Sequence, residues 1–227
     1  MKIALIGSGK TGGEILNLHP NTDIQVYNSK NKPSVESLQN HDVAICFIPG
    51  EVFIDLYPIL VESKIPVVSG STGFHWNDEM KEELRQKNLT WISGSNFSLG
   101  MRIVHQMIKN LNQATELFEN YNYKIHEVHH TKKLDAPSGT ALSWNDWIDQ
   151  KGTITHERKG DVVGDHLITF RSSFEQIDLR HQALDRKIFA QGALWAAHYL
   201  VNNNQKINPG VHLFEDITEK ILQKKES

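Results

Sequence analysis

The segment that decides the fold is KIALIGSGKTGGEIL, residues 2–16 of a chain of 227 residues. Lys2–Ile6 is a short apolar run that predicts a β-strand, and Glu14–Leu18 has helical spacing. Between them lies a tight glycine turn, Gly7–Gly12, which fits the pattern G-x-G-x-x-G. A strand, a glycine turn and a helix in this order predict the first part of a parallel sheet with crossover helices.

The same alternation continues to about residue 95, and the pattern changes beyond it. The first part predicts strands at Asp23–Tyr27, Val43–Ile48, Ile65–Ser69 and Leu89–Ser93, with helices at Val52–Val61 and Asn77–Lys87. The second part predicts helices at Leu99–Leu111, from Ser138, at Phe189–Leu200 and at Val211–Leu222, and strands at Tyr121–Val128, His166–Ser172 and Gln176–Ala183.

These elements predict an α/β protein with two domains. We expect a Rossmann-like parallel-sheet domain formed by residues 1–95 and 205–227, which binds a dinucleotide. Residues 96–204 are expected to form a second α+β domain with an open mixed sheet, which binds the substrate and forms the oligomer.

Composition excludes several classes of function. Lys and Arg total 24 and Asp and Glu total 27, a net charge of −3, which argues against a nucleic-acid partner. No apolar stretch reaches the roughly 20 residues of a membrane helix. The apolar run Lys2–Ile6 leads straight into the glycine turn without a signal-peptide pattern, so we expect a cytoplasmic protein.

The glycine turn is expected to bind a dinucleotide cofactor. Glycines let the backbone approach a pyrophosphate, and the following helix offers free N–H groups. The residues concerned are Gly7, Ser8, Gly9, Lys10, Thr11 and Gly12. The alternative is an ordinary glycine turn between a strand and a helix.

The end of the second strand leaves the cofactor open between NADH and NADPH. NAD-binding sheets usually carry an acidic residue there, but this chain has Asn28. Asn28 can hydrogen-bond a ribose, and Lys30 or Lys32 can accommodate a 2′-phosphate.

A second candidate segment is rich in histidine. His126-Glu127-Val128-His129-His130 matches the zinc-protease pattern H-E-x-x-H, but that pattern requires a helix. On the predicted strand His126 and His130 lie about 13 Å apart. One zinc ion cannot span that distance, so we predict no metal site.

The residues that follow predict a site for an anionic substrate that must be protonated. His129 and His130 titrate near neutral pH, and Lys133 adds a positive charge. Ser138 is a candidate helix N-cap, so the N–H groups of Gly139 and Thr140 can hold a carboxylate. The alternative is a solvated basic loop followed by a helix cap.

The whole segment EVHHTKKLDAPSGTA, residues 127–141, resembles the signature of the dihydrodipicolinate reductase family. Further stretches resemble other landmarks of this family: Gly70-Ser71-Thr72-Gly73-Phe74, Gly94-Ser95-Asn96-Phe97-Ser98, Gly160–His166 and Phe189–Ala193. The resemblance covers nearly the whole chain.

The resemblance implies an NAD(P)H-dependent reductase of lysine and diaminopimelate biosynthesis, which reduces dihydrodipicolinate (4-hydroxy-tetrahydrodipicolinate) to tetrahydrodipicolinate. It implies that His129 is the acid/base group and Lys133 the proton donor, and that His130, Gly139 and Thr140 bind the substrate carboxylates. It also implies a homotetramer and a cofactor site lined by the glycine turn together with Gly70, Ser71, Thr72, Gly94, Ser95, Asn96 and Phe97.

Two other functions are compatible with the same elements. One is a different NAD(P)-dependent dehydrogenase that acts on another small carboxylate. The other is a dinucleotide-sensing regulatory protein, which has no need for His129, Lys133 and a helix N-terminus within one short segment.

Overall fold

The computed structural model describes residues 1–18 and 23–223. The chain divides into two compact units, Met1–Ser98 with Lys187–Ser227, and Leu99–Arg186. No helix among the described residues is long and apolar enough to cross a membrane.

The described residues form ten strands. They are β1 (Ile3–Ile6), β2 (Ile24–Tyr27), β3 (Val43–Cys46), β4 (Val67–Ser69), β5 (Thr90–Ser93), β6 (Tyr121–His129), β7 (Thr153–Arg158), β8 (Gly164–Ser172), β9 (Gln176–Ala183) and β10 (Gly210–Leu213).

The described residues also form eight helices, and those of the first unit alternate with its strands. They are α1 (Lys10–Leu18), α2 (Val35–Leu38), α3 (Gly50–Ser63), α4 (Asp78–Gln86), α5 (Leu99–Gln113), α6 (Gly139–Asp146), α7 (Lys187–Asn203) and α8 (Phe214–Gln223), with short 3₁₀ turns at Ala114–Leu117 and Asn204–Lys206.

The first unit contains a six-stranded parallel sheet in the order β10-β5-β4-β3-β1-β2. Every residue of β1, β3, β4 and β5 is buried. This burial explains why their sequences are mostly apolar, because helices cover both faces of such a sheet. The chain order reverses between β1 and β3, and crevices at such switch points bind ligands.

The second unit contains a mixed sheet in the order β7-β6-β8-β9, in which only β6 and β7 are parallel. One face packs against α5 and α6 through apolar side chains, which include Tyr123, Ile125, Trp144 and Phe170. The opposite face carries polar residues such as Lys124, Thr169 and Asp178. The predicted fold class, a Rossmann-like domain with a second α+β domain, is confirmed.

The two units differ from the predicted domain ranges at residues 96–98 and 187–204. Helix α7 packs against α1 and against β3, β4 and β5, so it belongs to the first unit. A side chain at Gly192 would overlap the carbonyl oxygen of Phe97, so glycine is what allows this approach. Helical periodicity predicts that α7 has a buried face, but it does not say which sheet that face covers. Residues 224–227 lie outside the described residues.

The C-terminal helix predicted over Val211–Leu222 is wrong in its first turn. Gly210–Leu213 is instead a strand that pairs with β5, and the helix begins at Phe214. An edge of a parallel sheet offers backbone hydrogen bonds to any adjacent extended segment, and this tertiary effect overrides local periodicity. Strand β7 and helix α2 were not predicted.

Candidate active site

The glycine turn after β1 has the shape that a pyrophosphate requires. Gly7 has φ +92°, and an added Cβ would lie 2.5 Å from the carbonyl oxygen of Phe47. A Cβ at Gly12 would overlap the carbonyl oxygen of Gly7, whereas nothing lies within 4 Å of a Cβ at Gly9. Two glycines therefore allow the chain to pack, and the third leaves open space at the start of α1. These are the features of a dinucleotide-binding turn.

The turn after β2 fixes Asn28 and borders a cavity. The Oδ1 atom of Asn28 accepts hydrogen bonds from the N–H groups of Lys30 and Asn31, at 2.9 and 3.0 Å. Only its amide group is therefore left to contact a ribose. A cavity of about 340 Å³ is lined by Ile6, Gly7, Tyr27, Asn28, Ser29, Lys32, Pro33, Ile48, Val52, Asp55, Leu56 and Ile59. Of the two candidate lysines, Lys32 lines this cavity and Lys30 does not.

The loops after β4 and β5 continue the same edge of the sheet. The N–H of Gly70 donates to Cys46, and that of Gly94 donates to Ser69. A Cβ at Gly70 would overlap the ring of Phe47. The hydroxyl of Ser71 is buried and has no hydrogen-bond partner in the described part of the chain, which suits a residue that contacts a ligand.

The segment from Gly94 to Phe97 contains both polar and core residues. Asn96 accepts a hydrogen bond from the N–H of Ser98 at 2.9 Å. Phe97 is buried and packs against Phe47 and Phe214. Phe97 is therefore a core side chain, and its predicted contact with the cofactor stays a prediction.

In the second unit the histidine segment begins at the end of β6. Alternation along this strand places Glu127 and His129 on the same buried face as Tyr123 and Ile125. Helix α6 begins after Ser138, whose hydroxyl accepts a hydrogen bond from the N–H of Ala141 at 3.2 Å. Ser138 is thus the N-cap that the sequence predicts.

The start of α6 is open. A Cβ at Gly139 would have nothing within 4 Å. The first N–H groups of a helix have no carbonyl partner one turn back, so those of Gly139 and Thr140 are placed to hold an anion. The structure is consistent with the predicted carboxylate site at this position.

A fully buried carboxylate, Glu127, lies at the centre of the site. Its Oε1 accepts hydrogen bonds from the N–H of Ser138 at 3.0 Å and from Nη2 of Arg158 at 3.2 Å. Its Oε2 lies 3.2 Å from Nδ1 of His129 and 3.7 Å from Nε2 of His166. Burial acts to raise the pKa of Glu127, but the hydrogen bonds from Ser138, the charge of His129 and the hydrogen bond from Arg158 outweigh it and lower that pKa.

The two buried histidines are held towards their neutral forms. Burial lowers the pKa of His129, and the charge of Glu127 only partly offsets this effect. Burial also lowers the pKa of His166 to about 4. The hydroxyl of Ser138 lies 3.2 Å from Nε2 of His166, so this histidine contacts the cap of α6 as well as Glu127.

The predicted proton donor, Lys133, is paired with an exposed carboxylate. Its Nζ lies 2.8 and 2.7 Å from the two carboxylate oxygens of Asp135. The hydrogen bond from Lys133 lowers the pKa of Asp135. Lys132 is exposed. Lys133 therefore differs from Lys132 in having a defined position.

His130 contacts a cation that the sequence did not predict. Nη2 of Arg186 lies 3.1 Å from Nε2 of His130. Because a guanidinium only donates hydrogen bonds, Nε2 of His130 is the acceptor in this contact. Arg186 therefore adds a positive charge beside a residue that was predicted to bind substrate.

The sequence interpretation also missed Glu127, Asp135, Arg158 and His166. Sequence patterns assign His166 no role in the site, and the structure places it against Ser138 and Glu127. One signal was present in the sequence. Alternation places the charge of Glu127 among apolar residues on the buried face of β6, and a buried charge needs partners.

Glu127, His129 and His166 each offer one possible ligand atom for a metal ion. These three atoms all lie within 4.8 Å of one another, a spacing that would admit an ion. The cationic groups of Arg158 and Lys133 act on the same cluster, and both lower the pKa of His129. Positive charges at this position oppose a further cation, so we interpret the cluster as an ion-pair network.

Taken together, a parallel sheet with an open glycine turn and a second sheet with clustered histidines and cations define a two-domain, nicotinamide-dependent oxidoreductase. The family model for the C-terminus of dihydrodipicolinate reductase matches residues 100–217. The chain belongs to the dihydrodipicolinate reductase (4-hydroxy-tetrahydrodipicolinate reductase) family, as the sequence resemblance indicated.

Individual relatives agree with this assignment. A 4-hydroxy-tetrahydrodipicolinate reductase from Christiangramia forsetii is 31% identical, covering 98% of this chain and 100% of the relative. A relative of the same name from Stenotrophomonas maltophilia is 37% identical, covering 78% of this chain and 73% of the relative. The solved structure of a dipicolinate-bound dihydrodipicolinate reductase from Paenisporosarcina sp. TG-14 has a TM-score of 0.72 at 22% identity, covering 96% of this chain and 99% of that one. This likeness shows the shared fold.

The lowered pKa of His166 predicts how stability depends on pH. The unfolded chain binds a proton at this residue near pH 6.5 and the folded chain only near pH 4. The contribution is fully present above pH 6.5 and is lost as the pH falls towards 4, by roughly 3 kcal/mol. We expect His166→Gln to remove this contribution, so that stability falls less steeply with decreasing pH than in the wild-type chain, while the contributions of Glu127 and His129 remain; the measurement is chemical denaturation at several pH values.

The matched control is His156→Gln, which replaces an exposed histidine on β7. It should keep the pH dependence of the wild-type chain. If the free energy of unfolding of His166→Gln depends on pH as steeply as that of the wild-type chain, His166 does not contribute to this dependence.

Proposed function

We propose that this chain catalyses the NAD(P)H-dependent reduction of 4-hydroxy-tetrahydrodipicolinate to tetrahydrodipicolinate, in lysine and diaminopimelate biosynthesis. The observation that carries the proposal is the arrangement of one short segment. Between Glu127 and Thr140 the chain places a buried histidine, a positioned lysine and the open start of a helix. The relatives named above favour this function over another dehydrogenase or a dinucleotide sensor.

The segment provides the two things that a dicarboxylate reduction needs from the protein. The N–H groups of Gly139 and Thr140, together with His130, hold carboxylates at the start of α6. His129 and Lys133 supply a proton where negative charge develops on the substrate, and the positive charge of Lys133 stabilises that charge before the proton moves. Bound NADH or NADPH supplies the hydride.

Arg186 and Arg158 add to the positive charge of this pocket. The net charge of the chain is −3, so attraction of a dianion has to come from local groups. Arg186 contacts His130, and Arg158 contacts Glu127. Glu127, which neutralises Arg158, is buried, whereas Asp135, which pairs with Lys133, is 61% exposed and can be displaced. Lys133 and Arg186 can therefore attract substrate, together with the helix start.

The cofactor site is proposed at the carboxyl edge of the parallel sheet. Gly7–Gly12 would hold the pyrophosphate, with Gly9 facing the open space. The cavity beside Asn28 would hold the adenosine half, since seven of its twelve lining residues have apolar side chains, five of them from β1, β2 and α3. The loops Gly70–Thr72 and Gly94–Asn96 would contact the rest of the cofactor.

We also propose a homotetramer formed through the sheet of the second unit. The face of this sheet opposite α5 and α6 is open, and Phe174 is 100% exposed at the turn between β8 and β9. Exposed aromatic side chains beside an uncovered sheet are typical of contacts between subunits. A monomeric mass in solution would reject this arrangement. The cytoplasmic location and the absence of nucleic-acid and membrane partners stay predictions.

The reductase activity is tested by coupling. Aspartate semialdehyde, pyruvate and the synthase of the preceding step generate the substrate, and consumption of NADH and NADPH is followed separately. We expect His129→Ala to lower kcat by roughly 10²–10⁴-fold with cofactor affinity unchanged, the range for a general acid. Lys133→Ala should be more harmful than Lys132→Ala, because only Lys133 has a fixed position.

The wild-type chain must consume cofactor only when substrate is generated. Wild-type protein that does not do so would reject the proposed function. Equal losses in the two lysine variants would mean that both act through bulk charge alone.

Cofactor preference is tested at the cavity beside Asn28. Lys32→Ala should weaken NADPH binding by about tenfold and leave NADH binding nearly unchanged, since a charge-assisted contact with the 2′-phosphate is worth about 1.5 kcal/mol. Affinities are measured by titration calorimetry. Lys30→Ala is the matched control, because Lys30 does not line the cavity, and an equal effect of both variants would place the 2′-phosphate elsewhere.

A further inference from the structure

The carboxylate of Glu127 makes two kinds of contact through its two oxygens. Oε1 is fully engaged, since it accepts from the N–H of Ser138 and from Arg158. Oε2 faces Nδ1 of His129 across 3.2 Å, without the alignment of a hydrogen bond. Both Oε2 and this Nδ1 are buried and have no other hydrogen-bond partner in the described part of the chain.

Two buried polar atoms left without partners cost free energy, and a proton on Nδ1 would satisfy both of them. A small rotation of the imidazole is enough, because the atoms are already within hydrogen-bond distance. Contacts of this kind are often poorly aligned before substrate binds. A proton on Nδ1 leaves Nε2, which lies beside Gly164, as the nitrogen that exchanges protons.

We propose that Glu127 is the positioning residue of His129: it holds the imidazole with a proton on Nδ1, so that Nε2 exchanges the proton with the substrate. This inference rests on the proposed reductase function. The same carboxylate holds the N–H of Ser138, which begins α6. Glu127 therefore fixes the proton-exchanging nitrogen relative to the N–H groups that bind the substrate carboxylate.

The charges around His129 make the effect of Glu127 distinguishable from a packing effect. Glu127 is the negative group that favours the protonated imidazole, whereas burial disfavours it. The other groups that face the imidazole also oppose protonation or lie next to it: Lys133, Arg158, His130 and His166. Removing the charge at position 127 lowers the pKa of His129 further, because only the opposing effects remain.

The test compares Glu127→Gln with Glu157→Gln, an equivalent substitution on the adjacent strand β7, where the side chain of Glu157 is 49% exposed. We expect Glu127→Gln to lower kcat by about 10–100-fold or more, since this is the loss for groups that orient a metal-bound histidine, and the loss reaches about 10⁴ for the acid of a Ser-His-Asp triad. In the Glu127→Gln enzyme, the fall of activity on the alkaline side should begin at a lower pH than in the wild-type enzyme, because the pKa of His129 is lower. The KM for the cofactor should not change.

A double substitution separates positioning from general damage. In the His129→Ala background, Glu127→Gln should cause no further loss of kcat, because Glu127 acts through His129. Equal losses in both backgrounds would overturn the proposal, as would a Glu127→Gln enzyme that behaves like Glu157→Gln.

A measurement on the wild-type protein covers the case in which Glu127→Gln fails to fold. Nitrogen NMR of labelled histidine reports which ring nitrogen of neutral His129 carries the proton, with His129→Ala used to assign the signal. A proton on Nδ1 supports the proposal and a proton on Nε2 overturns it. This result does not depend on turnover, so it stays distinguishable from a failure of the reductase assay.

Discussion

The compensation of one buried charge organises the second unit. Removing a carboxylate from water costs several kcal/mol unless cations and N–H groups replace the water. Glu127 meets this cost with Arg158 and the N–H of Ser138. The same Nη2 of Arg158 also donates to the carbonyl of Asp135 at 2.6 Å. Strand β7, the loop after β6 and the start of α6 are therefore joined at a single carboxylate.

The first unit depends on a different constraint, the close approach of backbone at the carboxyl ends of its strands. At Gly12, Gly70 and Gly192 an added Cβ would overlap a neighbouring atom, so these positions are fixed by packing within the unit. Gly9 is free of such contacts. The packing thus produces a turn with one open position, where we propose that the pyrophosphate binds.

Local signals were enough to predict most of the elements and the placement of several candidate residues. Short, mostly apolar runs identified β1, β3, β4 and β5, because both faces of these strands are buried. The N-cap at Ser138 followed from its residue type, and β6 followed from its alternating pattern, to within one residue of its end. The resemblance of residues 127–141 then indicated the family.

Long-range contacts could not be predicted in this way. Arg158 reaches Glu127 from a strand 31 residues further along the chain, and no local period signals that pairing. Strand β10 forms because β5 offers an edge, and α7 joins the first unit because Gly192 fits against Phe97. Each of these depends on which surfaces meet, whereas hydrophobic patterns report only that a surface is buried.

The two carboxylates beside the proposed catalytic residues differ in a way that assigns them different parts. Glu127 is fully buried, whereas the side chain of Asp135 is 61% exposed. An exposed ion pair contributes little free energy, so a substrate carboxylate can displace Asp135 from Lys133 at small cost. Displacing Glu127 would leave a buried charge without compensation. We therefore propose that Lys133 exchanges its partner for substrate, while His129 keeps the same buried partner throughout.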